Sequence, residues 1–174
     1  MNASAANIRA TADRHVANNH TCTMQTLLLT SLLVVASAAF AATGPYDEAA
    51  DAKAQIRAAA AEAAAAKVPV LVVFGANWCG DCKMLDMAFK EGSAAPLIAK
   101  HFKVVKVDVG RFDRNVDVAT AYGVPLKSGI PAVAVLSAQG NATYATKAGE
   151  LADARQMGDK GIYDFFVKVS GQAK

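Results

Sequence analysis

The chain is sparing with reactive side chains. Its 174 residues include three cysteines, three histidines and one tryptophan, and charged residues make up only 19%. A formal net charge of +3, mixed in sign along the chain and without a basic stripe interleaved with aromatics, gives nucleic-acid binding no support. No internal repeat is visible, and the length suits one compact domain plus some extra sequence. Hydrophobic residues reach 53%, enough for a core, although alanine inflates that figure.

Only one stretch approaches membrane length. Residues 24–41 run from Met24 through the apolar segment Leu27 to Val35 into the small residues Ala36-Ser37-Ala38-Ala39-Phe40-Ala41. An apolar run ending at an A-x-A site is predicted to be a cleavable secretory signal. An uncleaved membrane anchor is the rival, because about 18 residues is near the lower limit for a span. No positive charge lies between Met24 and Leu27; Arg14 and Arg9 are the nearest upstream. Residues 1–23 are polar and aperiodic and are read as a leader or start-site artefact, with translation beginning at Met24. Cleavage after Ala41 leaves 42–174 as the mature domain, so Cys22, His15 and His20 are lost. Cys79, Cys82 and His101 are then the only cysteines and histidine left. No structural disulfide competes for that cysteine pair, and a zinc site, which wants four ligands, is short of them. An exported protein of this kind works in an oxidising compartment such as a periplasm.

Local patterns divide the mature chain. Tyr46 to Lys67 is alanine-rich and predicted helical. Val68 to Phe74 is a continuous apolar run, as for a strand covered on both faces. Lys83 to Glu91 is helix-compatible, and Gly92-Ser93 with Pro96 breaks it before Leu97 to His101. Phe102 to Val109 alternates as a strand, Asn115 to Tyr122 reads as a short helix, and Ala132 to Leu136 with Thr143 to Thr146 reads as a hairpin around Gln139-Gly140. Ile162, Phe165, Phe166 and Val169 mark an amphipathic last helix. The order α-β-α-β-α-β-β-α implies an α/β fold, a mixed sheet with helices on both faces.

Between the first strand and the helix after it stands Trp78-Cys79-Gly80-Asp81-Cys82. C-x-x-C spacing on such a turn puts one thiol at a helix N-terminus and the other one turn inside. Free N–H groups and the helix dipole there stabilise a thiolate, as a dithiol/disulfide redox centre requires. With Lys83 after it, and Gly129-Ile130-Pro131 before the hairpin, the motif resembles the thioredoxin superfamily over roughly Tyr46 to Ser170.

That resemblance implies a thioredoxin-like fold with a central sheet of about four strands. It implies a protein-disulfide oxidoreductase with no cofactor beyond the Cys79–Cys82 disulfide. Cys79, exposed by resemblance, is the expected nucleophile and Cys82 the more buried resolving thiol. Pro131 corresponds to the family's cis-proline, leaving Ile130 free to pair with an extended substrate. Trp78 resembles the tryptophan beside the active-site turn and is expected on the substrate surface. Expected partners are protein disulfide substrates and a thiol electron donor, a membrane reductase being one candidate, with the chain itself a monomer.

Two departures from the family stand out. Many thioredoxins carry a buried aspartate six residues before the first cysteine, where this chain has Val73. Lys106 matches the lysine that accompanies it, so half of that pair is expected to be absent. Asp81 replaces a common proline, and its carboxylate opposes a neighbouring thiolate. Gly80, Asp81 and Lys106 are therefore the residues expected to tune the thiols, with Asp81 biasing the pair towards reduction. The segment Val124 to Ser128 reads as a short insertion at the substrate rim. Competing readings are a disulfide oxidase or isomerase and, in a different class, a copper metallochaperone using Cys79 and Cys82 with Met84 or Met87.

Overall fold

The computed structural model of the chain describes residues 44–172. The predicted leader (1–23) and secretory segment (24–41) lie outside the described residues. Strand β1, Val70–Gly75, is buried at every position and is the axis of the domain. Strand β2, Lys103–Asp108, runs parallel to it, and β3, Ala132–Leu136, runs antiparallel on its other side. Strand β4, Ala142–Ala145, pairs with β3 through a register shift at Val135/Leu136, giving the order β2-β1-β3-β4.

Because the β1 run Val70 to Phe74 is apolar at every position, both of its faces must be covered, and helices cover them. Val70, Val72 and Phe74 pack with Ala52, Ile56 and Ala63 of helix α1, Ala52–Ala66, and with Val118 and Ala119 of helix α4, Val116–Ala121. Leu71 and Val73 point the other way. They join Leu85 and Ala88 of α2 (Gly80–Lys90), Ile98 of α3 (Ala95–His101), and Ile162, Phe166 and Val169 of α5 (Ala154–Gln172).

The boundaries depart from the sequence pattern where capping decides. The first helix starts at Ala52, not Tyr46, because the Asp51 carboxylate accepts the Ala54 N–H at 3.0 Å. It stops where Lys67 turns left-handed (φ 55°) and gives its N–H back to Ala63 and Ala64. The break between α2 and α3 falls at Gly92 to Ala94, with Pro96 in the first turn of α3, where its missing N–H costs nothing. The expected insertion Val124 to Ser128 folds into a single 3-10 turn, Leu126–Ser128, with Leu126 buried.

The last helix begins at Ala154, eight residues before the apolar periodicity, and is interrupted at Gly158 (φ 62°, ψ −177°). That conformation is essentially restricted to glycine. After the interruption Phe166 is fully buried, with its ring 5.0 Å from those of both Phe89 and Phe165 in edge-on contact. Phe166→Ala is expected to lower unfolding free energy by about 3–5 kcal/mol, measured as a shifted urea midpoint.

Candidate functional site

Sheet and helix boundaries fix where the cysteines fall. β1 ends at Gly75, and Cys79 becomes the N-cap of α2 with extended backbone (φ −78°, ψ 115°). Its sulfur takes the place of a capping oxygen: the Cys82 N–H points at the Cys79 Sγ at 3.0 Å. The two sulfurs are joined as a disulfide. Cys82 is fully buried and Cys79 is 5% exposed, more enclosed than the exposed nucleophile expected by resemblance. Cys79 nevertheless lines a surface pocket with Trp78, Gly80, Phe112, Ile130 and Arg155. The walls around its sulfur reduce its exposure without closing the approach.

The chain from Gly129 to Pro131 crosses in front of this disulfide. The Ile130–Pro131 peptide is cis, and the Ile130 carbonyl oxygen lies 3.6 Å from the Cys79 Sγ. Trp78 is half-exposed, and its Nε1 donates to the Gly110 carbonyl at 2.8 Å. Phe112 meets its ring edge-on at 6.0 Å, and the Arg111 guanidinium sits 5.9 Å over it. Phe112 is exposed and held at positive φ (67°). It also lines the disulfide pocket and a neighbouring apolar groove of about 860 Å³, whose walls include Val124, Pro125 and Leu126. The expected insertion is thus a wall of the groove that adjoins the site.

Asp81 lies between the thiols but does not act as an isolated charge. Arg155, at the start of α5, donates its backbone N–H and Nε to Asp81 Oδ1 at 3.0 and 3.2 Å, and its Nη2 to Oδ2 at 3.0 Å. Hydrogen bonding from that side chain, against the opposing effect of burial, holds the Asp81 carboxyl below its ordinary value. Gly80 leaves room for the pairing, since a Cβ there would meet the guanidinium at 3.2 Å. The expected repulsion between Asp81 and a Cys79 thiolate is therefore offset by Arg155.

Lys106 has an acid partner after all, supplied from a different element. It pairs in register with Val73 on the strand side, while its Nζ contacts the Asp86 carboxylate of α2. Asp86 also takes Lys90 at 2.8 Å and is 8% exposed. Burial works to raise this carboxyl, but hydrogen bonds from Lys106 and Lys90 prevail and hold it below the ordinary value. The strand position opposite Lys106 is Val73, without an acid as the sequence implies, and the lysine takes its partner from α2 instead. Asp86 stands four residues after Cys82, one turn along the same helix, a spacing that could have flagged it. Arg155 and Phe112 carried no such signal. Met84, proposed as a copper ligand, packs against the α2–α5 cluster, and Met87 faces solvent.

A disulfide capping a helix beside a cis X-Pro bond, on a four-stranded mixed sheet covered by helices, is the arrangement of a thioredoxin-like domain. The family model described as thioredoxin-like matches residues 51–138, and the chain belongs to that family. Among solved structures, a protein described as a disulphide isomerase from Xylella fastidiosa is 54% identical, with a TM-score of 0.70 over 72% of this chain and 96% of that one. Thioredoxin 1 of Synechococcus elongatus is 42% identical over 57 residues, which are 33% of this chain. The match spans about half the length of that curated relative (49%). The oxidised C-terminal domain of DsbD from Neisseria meningitidis is 21% identical, with a TM-score of 0.47 over 72% of this chain and 97% of that one.

Two outcomes test the electrostatics. Arg155→Ala is expected to slow alkylation of reduced Cys79 at neutral pH by about three- to tenfold, and Asp81→Asn to speed it by a similar factor. Iodoacetamide kinetics against pH would show both, and equal rates in all three proteins would refute the pairing's role. The folded Asp86 carboxyl lies below its unfolded value, so its contribution to stability is complete above about pH 4 and is lost as the pH falls further. Asp86→Asn is expected to remove about 1–3 kcal/mol at neutral pH and to flatten that acid limb in urea titrations.

Proposed function

We propose that this chain is an exported thiol–disulfide oxidoreductase, acting as a protein-disulfide reductase or electron relay. The observation that carries the reading is the Cys79–Cys82 disulfide at the N-terminus of α2, opening onto a pocket walled by Trp78, Phe112 and Ile130. In the reduced protein the Cys79 thiolate inherits the Cys82 N–H and the helix dipole, which stabilise negative charge on its sulfur. That thiolate attacks one sulfur of a substrate disulfide. A Cys79–substrate bond forms, the substrate bond breaks, and the departing sulfur takes up a proton. Cys82 then attacks Cys79, closes the disulfide seen here and releases the second substrate thiol. Two electrons have passed from the cysteine pair to the substrate.

An extended substrate strand is expected to run past Ile130 beside the cis bond, using its free backbone groups. The adjoining groove between Phe112 and Leu126 suits an apolar side chain of that substrate. Export is supported by the apolar run Leu27 to Val35 before Ala39-Phe40-Ala41. A thiol donor, such as a membrane-bound reductase, would return electrons to Cys79.

Isomerase activity is the second reading, favoured by the 54% identity to the Xylella protein described as a disulphide isomerase. Refolding of a scrambled disulfide substrate, compared with reduction of insulin, separates the two. An isomerase regains native pairs with its cysteines kept reduced, whereas a reductase turns over only while a donor supplies electrons. Cys82→Ser is expected to accumulate mixed disulfides on Cys79 in cells and to lose more than about 100-fold of insulin-reducing turnover, whereas Cys79→Ser forms no adducts. Mass spectrometry of the trapped species identifies clients, and a lack of any Cys79-dependent adduct would overturn the oxidoreductase reading.

A further inference from the structure

Tyr46 is a buried hydroxyl that the exchange chemistry leaves unused, and it stands beside the resolving sulfur. It is 1% exposed and belongs to the same cluster as the fully buried Cys82. The two side chains meet at Gly75. A Cβ on that residue would fall 2.9 Å from the Cys82 Sγ and closer still to the Tyr46 hydroxyl oxygen. Hydroxyl and sulfur thus share the gap that one missing side chain leaves open. Tyr46 is also clamped in place. Its N–H donates to Asn77 Oδ1 at 3.0 Å, and Asn77 Nδ2 donates back to its carbonyl at 2.8 Å. Asn77 lies two residues before Cys79, so the turn that carries the cysteines also carries the clamp.

We propose that Tyr46 is a positioning residue for the resolving step, its hydroxyl donating a hydrogen bond to the Cys82 sulfur and stabilising it as a thiolate. The proposal rests on the exchange chemistry above. In that step the Cys82 thiol gives up its proton to solvent water and its sulfur attacks Cys79 of the mixed disulfide. The Cys79–Cys82 bond forms, the Cys79–substrate bond breaks, and the departing substrate thiolate takes up a proton through water. Tyr46 keeps its own proton throughout.

Cys82 needs such a donor because full burial disfavours its charged form. The charged groups around it do not supply one. Asp81 and Asp86 on α2 and Asp108 on β2 are acids, Lys106 is engaged by Asp86, and Arg155 is engaged by Asp81. On the α1 and α4 side, Lys53 and Asp117 pair with each other at the surface. β1 offers Val73, which turns into the opposite cluster. A neutral phenol stabilises a buried thiolate without adding charge. Burial first, then the Asp86 and Asp108 carboxylates, push the Tyr46 phenol well above its ordinary value. It therefore remains a donor across the range in which thiols titrate.

The test uses the full chain carrying Cys22→Ser, so that only Cys79 and Cys82 react, reduced and mixed with dithiobisnitrobenzoate in stopped flow. The first coloured thiolate released reports attack by Cys79, and the second reports resolution by Cys82. Tyr46→Phe keeps the ring and removes the hydroxyl. It is expected to leave the first phase within about twofold, to slow the second about tenfold at neutral pH, and to move the second phase's pH midpoint upward. Asn77→Ala, which keeps the hydroxyl but frees its backbone, is expected to slow the second phase in the same direction by a smaller factor. A second phase unchanged in rate and midpoint in Tyr46→Phe overturns the proposal, as does equal slowing of both phases, which would mark a packing role. If the unmodified tyrosine protein shows no Cys79-dependent first phase, the exchange reading itself falls.

Discussion

Everything in this domain hangs on a strand with no free face. β1 is hydrogen-bonded to β2 on one edge and β3 on the other, and its alternating side chains enter two separate clusters. Each buried valine, leucine or phenylalanine there is worth about 1.5–3 kcal/mol, so the strand cannot shift along its axis without unmaking both cores. Its end is therefore fixed in space, and the turn from Gly75 to Cys79 inherits that precision. A helix must follow, and its first free N–H groups must be met by something. Here a sulfur meets one of them.

Charge is arranged about that sulfur so that little of it stands alone. Asp81 is held by Arg155 from α5, and Asp86 by Lys106 from β2 and Lys90 from its own helix. The Arg155 and Lys106 pairs tie α2 to α5 and β2, so the contacts that hold this helix in place also balance the charge it carries. The acid that many relatives carry on the first strand is replaced here by valine. A carboxylate one helical turn beyond Cys82 supplies the partner for Lys106 instead.

The sequence pattern was most legible where periodicity and special residues coincide. The buried first strand, the C-x-x-C turn, the Gly-Ile-Pro segment and the apolar stripe of the last helix all follow from short local rules. Helix starts were less legible: the Asp51 cap moved α1 forward by six residues, and α5 begins at Ala154, well before its apolar stripe. The supporting residues of the site were the least legible. Arg155 and Tyr46 are far from the cysteines in sequence, and only the tertiary fold brings them together. Among its neighbours along the chain Asp81 stands as a bare charge, because its counterion lies 74 positions away.

The interruption of α5 at Gly158 separates two jobs along one element. Arg155 precedes it and grips Asp81, while Ile162, Phe166 and Val169 follow it and fill the core. An unbroken rod would tie the azimuth of its first turn to that of its last, 100° of rotation for each residue added. With the backbone reset at Gly158, the guanidinium can be aimed at the redox turn while the aromatic stripe is aimed at the sheet. The glycine thus works as a joint between an adjustable front and a fixed anchor. The electrostatics of the dithiol can then be retuned in evolution, residue by residue, without repacking the domain beneath it.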